Sequence, residues 1–175
     1  PLSLIPFRMK GHFNKKGIWR LKEYIEIVEQ DRNGCLFFSY KKPTLEKKFS
    51  KYNFPNNLEI EYTKADLINY FNLNDSHEII LSPQVWGGSF FLRKCIISEN
   101  LMKEHFNITR NRYDLIDDDE SKFVENSYPE FKAHRHSQSV LSILAKKINC
   151  DFISAYESEW ALDERGQRTF DHLDN

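Results

Sequence analysis

The densest run of ligand-capable side chains is His134-Arg135-His136-Ser137-Gln138-Ser139, directly before an amphipathic stretch carrying Val140, Leu141, Leu144 and Ile148. A helix start leaves backbone N–H groups unpaired at the positive end of the helix dipole, which suits a phosphate or a sugar oxygen. His134 and His136, two apart, share a side if the approach is extended, and such a pair suits a metal or a diphosphate. A serine N-cap with flanking histidines bonded to backbone carbonyls explains the same residues, so both readings stand at this point. A second cluster, Asp117-Asp118-Asp119-Glu120, offers the hard oxygen ligands that Mg or Mn prefers, with a solvated acidic turn as the alternative. Trp86-Gly87-Gly88 combines an aromatic face for a sugar ring with glycines that let backbone approach a ligand; a bulge or close packing is the structural alternative.

The elements that must position these residues alternate between helix and strand. Ile18, Leu21, Ile25 and Val28 recur at helical spacing within 17–30, with Lys22, Glu23, Glu26 and Glu29 opposite. Asn33-Gly34 gives a turn before the strand-length apolar run 35–39, and a Lys-rich irregular stretch with breakers Pro43, Pro55 and Asn56-Asn57 follows. Thr63 reads as an N-cap for a helix bearing Leu67, Tyr70 and Phe71, Ser98 as the cap of one bearing Leu101, Met102, His105 and Phe106, and Ser137 or Gln138 as the start of another. Segments 86–92 and 151–154 read as strands, residues 107–135 as mostly loop, and the charged tail from Glu157 as a surface cover. The pattern predicts an α/β class, with chemistry in the long polar loops.

The 175 residues fit one domain spanning 1–175 or a large piece of one, and 40% hydrophobic residues are enough for a sizeable core. Lys plus Arg number 25 against 26 Asp plus Glu, too balanced for non-specific capture of nucleic acid or an anionic membrane. Cys35, Cys95 and Cys150 are scattered without paired zinc-site spacing, and read as free thiols of a reducing compartment. No apolar run approaches the roughly 20 residues of a membrane helix, which makes the cytoplasm the expected location. The opening PLSLIPFRMK lacks an initiator Met and reads like the middle of something longer. No phosphate-binding P-loop, dinucleotide fingerprint or nucleophile elbow occurs, and no Asp-x-Asp closes an apolar strand.

Five segments in order, KKGIWRLKEYIEIVE, YTKADLINYF, SPQVWGGSFFLRK, YDLIDDDESKFVENSYPEFKAHRHSQSVLSILAKK and EWALDERGQRTF, resemble a family of uncharacterised bacterial and viral glycosyltransferase-like proteins of the GT-A type. The stretch 113–147 carries the most specific likeness. The resemblance implies a mixed sheet flanked by helices in a nucleotide-diphospho-sugar transferase-like fold, of which this chain is the C-terminal portion. It also implies a divalent cation, Mn or Mg, whose main ligands lie in a preceding half. The layout of 88–92 and of the helix near Gln138 is distantly similar to glycogenin and galactosyltransferase-like enzymes, where an Asp-Gln pair before a helix contacts donor or acceptor sugar. Here Ser137 stands where that Asp is expected and Gln138 is kept. A hydroxyl cannot serve as a carboxylate base.

The implied partners are a nucleotide sugar and a glycan or lipid-linked acceptor, with no nucleic acid and no transmembrane segment. Trp86, Gly87 and Gly88 would wall the sugar pocket. Asp117 or Asp118 would polarise an acceptor hydroxyl, and His134, His136, Ser137 and Gln138 would contact donor or acceptor. The rival readings are a non-catalytic glycan- or protein-binding module and a phosphoester hydrolase using the acidic loop and histidines.

Overall fold

Strand β1 (Cys35–Ser39) is buried along its whole length, so both of its faces must be covered. Alternation sends Cys35 and Phe37 into one core cluster and Phe38, with Tyr40 beyond the strand end, into another. A computed structural model of the chain describes residues 15–43, 51–123 and 128–173. The expectations for the opening decapeptide and for the Lys-rich residues 44–50 lie outside the described residues.

The fold is mixed α/β, with a small mixed sheet flanked by helices. β1 is central, antiparallel to β2 (Val85–Leu92) and parallel to β3 (Asp151–Ser154). On the Phe37 face, α6 (His136–Lys147) packs against β2 and α5 (Ile96–Asn111) packs against α6, through Val140, Leu141, Leu144 and Leu101. On the Phe38 face, α1 (Lys15–Gln30) brings Tyr24 edge-on to Phe38 at 5.3 Å between ring centroids. Three short helices, α2 (Glu59–Tyr62), α3 (Ala65–Tyr70) and α4 (His77–Ile80), carry the chain between β1 and β2. No helix among the described residues is long and apolar enough to cross a membrane.

Sequence expectation and structure part at several places. Thr63 does not cap α3: that helix starts at Ala65, with Lys64 in the cap position, while the Thr63 hydroxyl donates to Glu59 Oε2 at 2.5 Å. Ser98 lies inside α5, which begins at Ile96, and its oxygen accepts from the Cys95 amide at 3.1 Å. The helix also runs to Asn111, into the stretch read as loop. The tail is no loose cover: Ala161–Leu162 (β4) and Arg168–Thr169 (β5) pair antiparallel, and Ala161 and His172 are buried.

A polar network also ties α2, β2 and α6 together. Glu59 has no exposed surface, so every lone pair it brings inside needs a donor. Lys146 Nζ lies 2.7 Å from Oε1, which also accepts from the Ser142 hydroxyl. Oε2 receives Thr63 and Gln84 Nε2, the latter at 3.1 Å. Ser142 Oγ in turn accepts from the Val85 amide at 2.7 Å, fixing the first residue of β2 to the middle of α6. Breaking a buried pair from one side leaves an uncompensated charge, at a cost of about 3–5 kcal/mol. Lys146→Met is therefore expected to lose stability of that order in urea unfolding, and the double variant Glu59→Gln/Lys146→Met to regain most of it. A single variant that unfolds at the wild-type midpoint would contradict this account of the tie.

Candidate functional site

The parallel strands β1 and β3 end together, at Ser39 and Ser154, and β2 begins beside them, Val85 pairing with Ser39. The carboxyl ends of parallel strands are where open α/β sheets place ligands. The register at this end is broken. Phe37 faces Phe90, which would set Ser39 opposite Gly88, yet Ser39 faces Val85, so 86–89 bulge out of the ladder.

The bulge ties the glycine segment to α6. The Gly87 amide donates to Gln138 Oε1 at 3.0 Å, and Gln138 Nε2 donates to Gln84 Oε1 at 3.0 Å. Gly87 and Gln138, both read from sequence as donor or acceptor contacts, bond to each other. Both ends of the Gln138 amide are committed to the protein, however. The space above each glycine is also filled from within: a Cβ on Gly87 would meet Gln138 at 3.3 Å, and one on Gly88 would meet the Trp86 indole at 2.4 Å. Gly88 therefore seats the Trp86 ring, and Gly87 admits Gln138.

Arg135 stands at the head of α6 and was not singled out from sequence, hidden between two more conspicuous histidines. Its guanidinium carbon lies 4.2 Å from the centroid of the Tyr62 ring and 5.6 Å from that of Tyr40, the residue that follows β1. Tyr40 approaches Tyr156, which follows β3, at 6.0 Å. Burial pushes the Tyr40 hydroxyl pKa up, and the Arg135 cation partly offsets it. A half-buried planar cation lies over two aromatic rings where both parallel strands stop.

The histidines divide. His134 is buried, its Nδ1 accepting from the Lys64 amide at 3.1 Å. Nε2 therefore carries the proton and donates to Leu115 O at 3.0 Å. Burial first, and the neighbouring His136 second, push its pKa down to about 4, so it is a neutral structural group near pH 7. His136 is exposed and opens α6 at φ +48, a left-handed conformation costing a non-glycine residue about 1–2 kcal/mol. Its Nδ1 donates to Ile116 O at 2.7 Å, and its Nε2 lies 3.6 Å from Asp118 Oδ1. Ser137 is exposed and is not the N-cap, a position that Arg135 holds; its carbonyl accepts from His105 Nε2 at 3.1 Å.

The acidic loop also divides. Asp117 Oδ1 is 2.6 Å from Lys64 Nζ, and that contact holds its carboxyl below the usual range. Asp118 is largely exposed, beside His136. Among the described residues no group of three or more His, Cys, Asp or Glu is placed to hold a metal ion. Cavities of about 370 Å³ beside β4–β5 and about 300 Å³ between α5 and α6 are lined by none of the candidate residues.

Two outcomes check this geometry. Gly88→Ala has no room beneath the indole, so in a Trp19→Phe/Trp160→Phe background the Trp86 emission should shift to the red; unchanged emission would contradict the seating. His134 is one pH-sensitive element. Its folded pKa of about 4 is below the unfolded value of 6.5, so its contribution is fully present above about 6.5 and is lost as pH falls towards 4. That window is worth on the order of 3 kcal/mol. The urea-midpoint difference between wild type and His134→Gln should shrink from pH 7 to pH 4.5, and a constant difference would contradict the assignment. Comparison with protein-family models, curated proteins and solved structures found no match to this chain.

Proposed function

We propose that the chain is part of a cytosolic glycosyltransferase that moves a sugar from a nucleotide-sugar donor to a glycan or lipid-linked acceptor. The observation that carries the reading is Arg135. A cation held over Tyr62 and Tyr40, at the head of a helix and the carboxyl edge of two parallel strands, fits an anionic, ring-bearing ligand. The guanidinium and the first-turn amides of α6 would hold the diphosphate, while Trp86 offers an aromatic face to the sugar. Stabilising charge that builds on a leaving diphosphate is the main electrostatic task of such a site. His136, paired with Asp118 at 3.6 Å, is the remaining exposed polar pair beside the helix start. The resemblance implies Mn or Mg, but Asp117 is held by Lys64 and the described residues do not assemble a cation site.

A second reading, a binding module without turnover, is favoured by two specific observations. Residue 137 is a serine where the resemblance implies an acid, and Gln138 is bonded at both ends within the protein.

Isothermal titration with a panel of uridine, guanosine and cytidine diphospho-sugars, with and without Mn, tests both. One donor class should bind wild type, and Arg135→Ala should weaken it at least about tenfold, or about 1.4 kcal/mol. Arg135→Lys should recover only part, because the planar stack is lost. Binding with donor hydrolysis or transfer supports the enzyme, and binding with neither supports the module. Failure of every donor to bind, or an indifferent Arg135→Ala, contradicts the site.

A further inference from the structure

The three cysteines, far apart in sequence, meet at one point of the fold. Cys35 Sγ and Cys95 Sγ each donate to the same acceptor, Asn33 O, at 3.2 Å. The two sulfurs are therefore no farther apart than two hydrogen bonds end to end. Cys150 is the residue before β3, which runs parallel to β1 in the register Leu36 to Asp151, so it falls beside Cys35. Its thiol is hydrogen-bonded to Cys35. The Asn33 side chain is anchored to Ile148 O and Asn149 O, and Gly34, at φ +65, leaves room for the Cys95 sulfur. A Cβ there would meet that sulfur at 3.0 Å.

The three thiols differ in environment. Cys35 and Cys150 are buried, whereas Cys95 is half-exposed at the N-terminus of α5, a helix of 16 residues. Burial raises the Cys95 pKa, but the Ser98 amide and hydroxyl and the Ile97 amide outweigh it and hold the thiol below its ordinary range. Its bond to Cys35 and then burial push the Cys150 thiol far up, which keeps it protonated and weakly nucleophilic. A reachable thiol beside helix amides, with a second sulfur sharing its acceptor, is the arrangement that redox-reactive pairs require.

We propose that Cys95 is a thiol-oxidation site for hydroperoxides and that Cys35 resolves it to a Cys35–Cys95 disulfide. In the first step the Cys95 thiolate attacks the terminal peroxide oxygen. An S–O bond forms, the O–O bond breaks, and the departing alkoxide takes a proton from water and leaves as an alcohol. In the second step Cys35 gives up its proton and attacks the Cys95 sulfenic sulfur. The S–S bond forms, the S–O bond breaks, and hydroxide leaves as water. Two thiols are oxidised by two electrons and one hydroperoxide is reduced to one alcohol and one water. Cys150 remains a thiol. The cluster sits where β1 begins and β2 ends, the far end of the sheet from Val85 and Ser39. The inference therefore stands apart from the sugar-transfer reading.

The test is to expose the reduced full chain to a small excess of hydrogen peroxide, block remaining thiols with N-ethylmaleimide, and map peptides by mass spectrometry. The expected product is a Cys35–Cys95 cross-link with Cys150 alkylated. Cys35→Ser should instead leave Cys95 trapped as a dimedone adduct, and Cys150→Ser should keep the cross-link. A Cys35–Cys150 link, an intermolecular Cys95–Cys95 dimer, sulfinic Cys95 with Cys35 free, or no oxidation in wild type would each overturn the proposal.

Discussion

A carboxyl group with no exposed surface, Glu59, is the constraint around which the sheet edge is assembled. The desolvation cost of such a group is met only if several elements deliver donors to it at once. Thr63 comes from the end of α2, Gln84 from the residue before β2, and Ser142 and Lys146 from consecutive turns of α6. Gln84 then hands its carbonyl oxygen to Gln138, whose own oxygen takes the Gly87 amide. The connected path leads from the middle of α6 back to its first turn. It fixes where the bulged segment 86–89 and the head of α6 meet. Apolar packing alone would let α6 slide or rotate on β2, whereas these directional bonds specify one placement.

That placement makes the carboxyl edge chemically uneven. Arg135 lies over aromatic rings, Trp86 is held by the absence of a side chain at Gly88, and His136 is kept left-handed by its bond to Ile116 O. The neighbouring groups that looked reactive in sequence hold the loops together. His134 is neutral and bonded at both nitrogens, and Asp117 is paired with Lys64. The histidine–serine–glutamine run thus supplies both scaffold and surface, and the two are told apart only by where each ring nitrogen finds its partner.

Local pattern made some elements legible. The apolar run 35–39 is a strand as read, because a segment buried between helices needs no polar alternation, and 151–154 is a strand as read although it is only half-buried. The spacing of Ile18, Leu21, Ile25 and Val28 marks α1 for the same reason that any amphipathic helix declares itself. What escaped reading depends on distant partners. Glu59 sits in a charged, breaker-rich stretch that looks like loop, and its burial follows from residues 83 and 87 positions further along. The Thr63 hydroxyl is spent on that carboxyl, so the expected cap moved. The contact of Gly87 with Gln138 was not read from sequence, which gave each residue only a place beside a sugar. Nor was the filling of the glycine space by Trp86 and Gln138, since it needs the three-residue slip in register between β1 and β2. The meeting of Cys35 with Cys150 follows from parallel pairing that no local signal encodes.

Under the proposed function, the edge formed by Tyr40, Trp86, Gly87 and the head of α6 takes an anionic diphospho-sugar. Backbone amide chemical-shift mapping on isotope-labelled protein, during titration with nucleoside diphosphate sugars, reads this directly. Perturbations gathered on residues 40, 86–89 and 135–138 are the predicted result. Shifts confined to the β4–β5 hairpin or to the α5–α6 groove, with those residues silent, would contradict it.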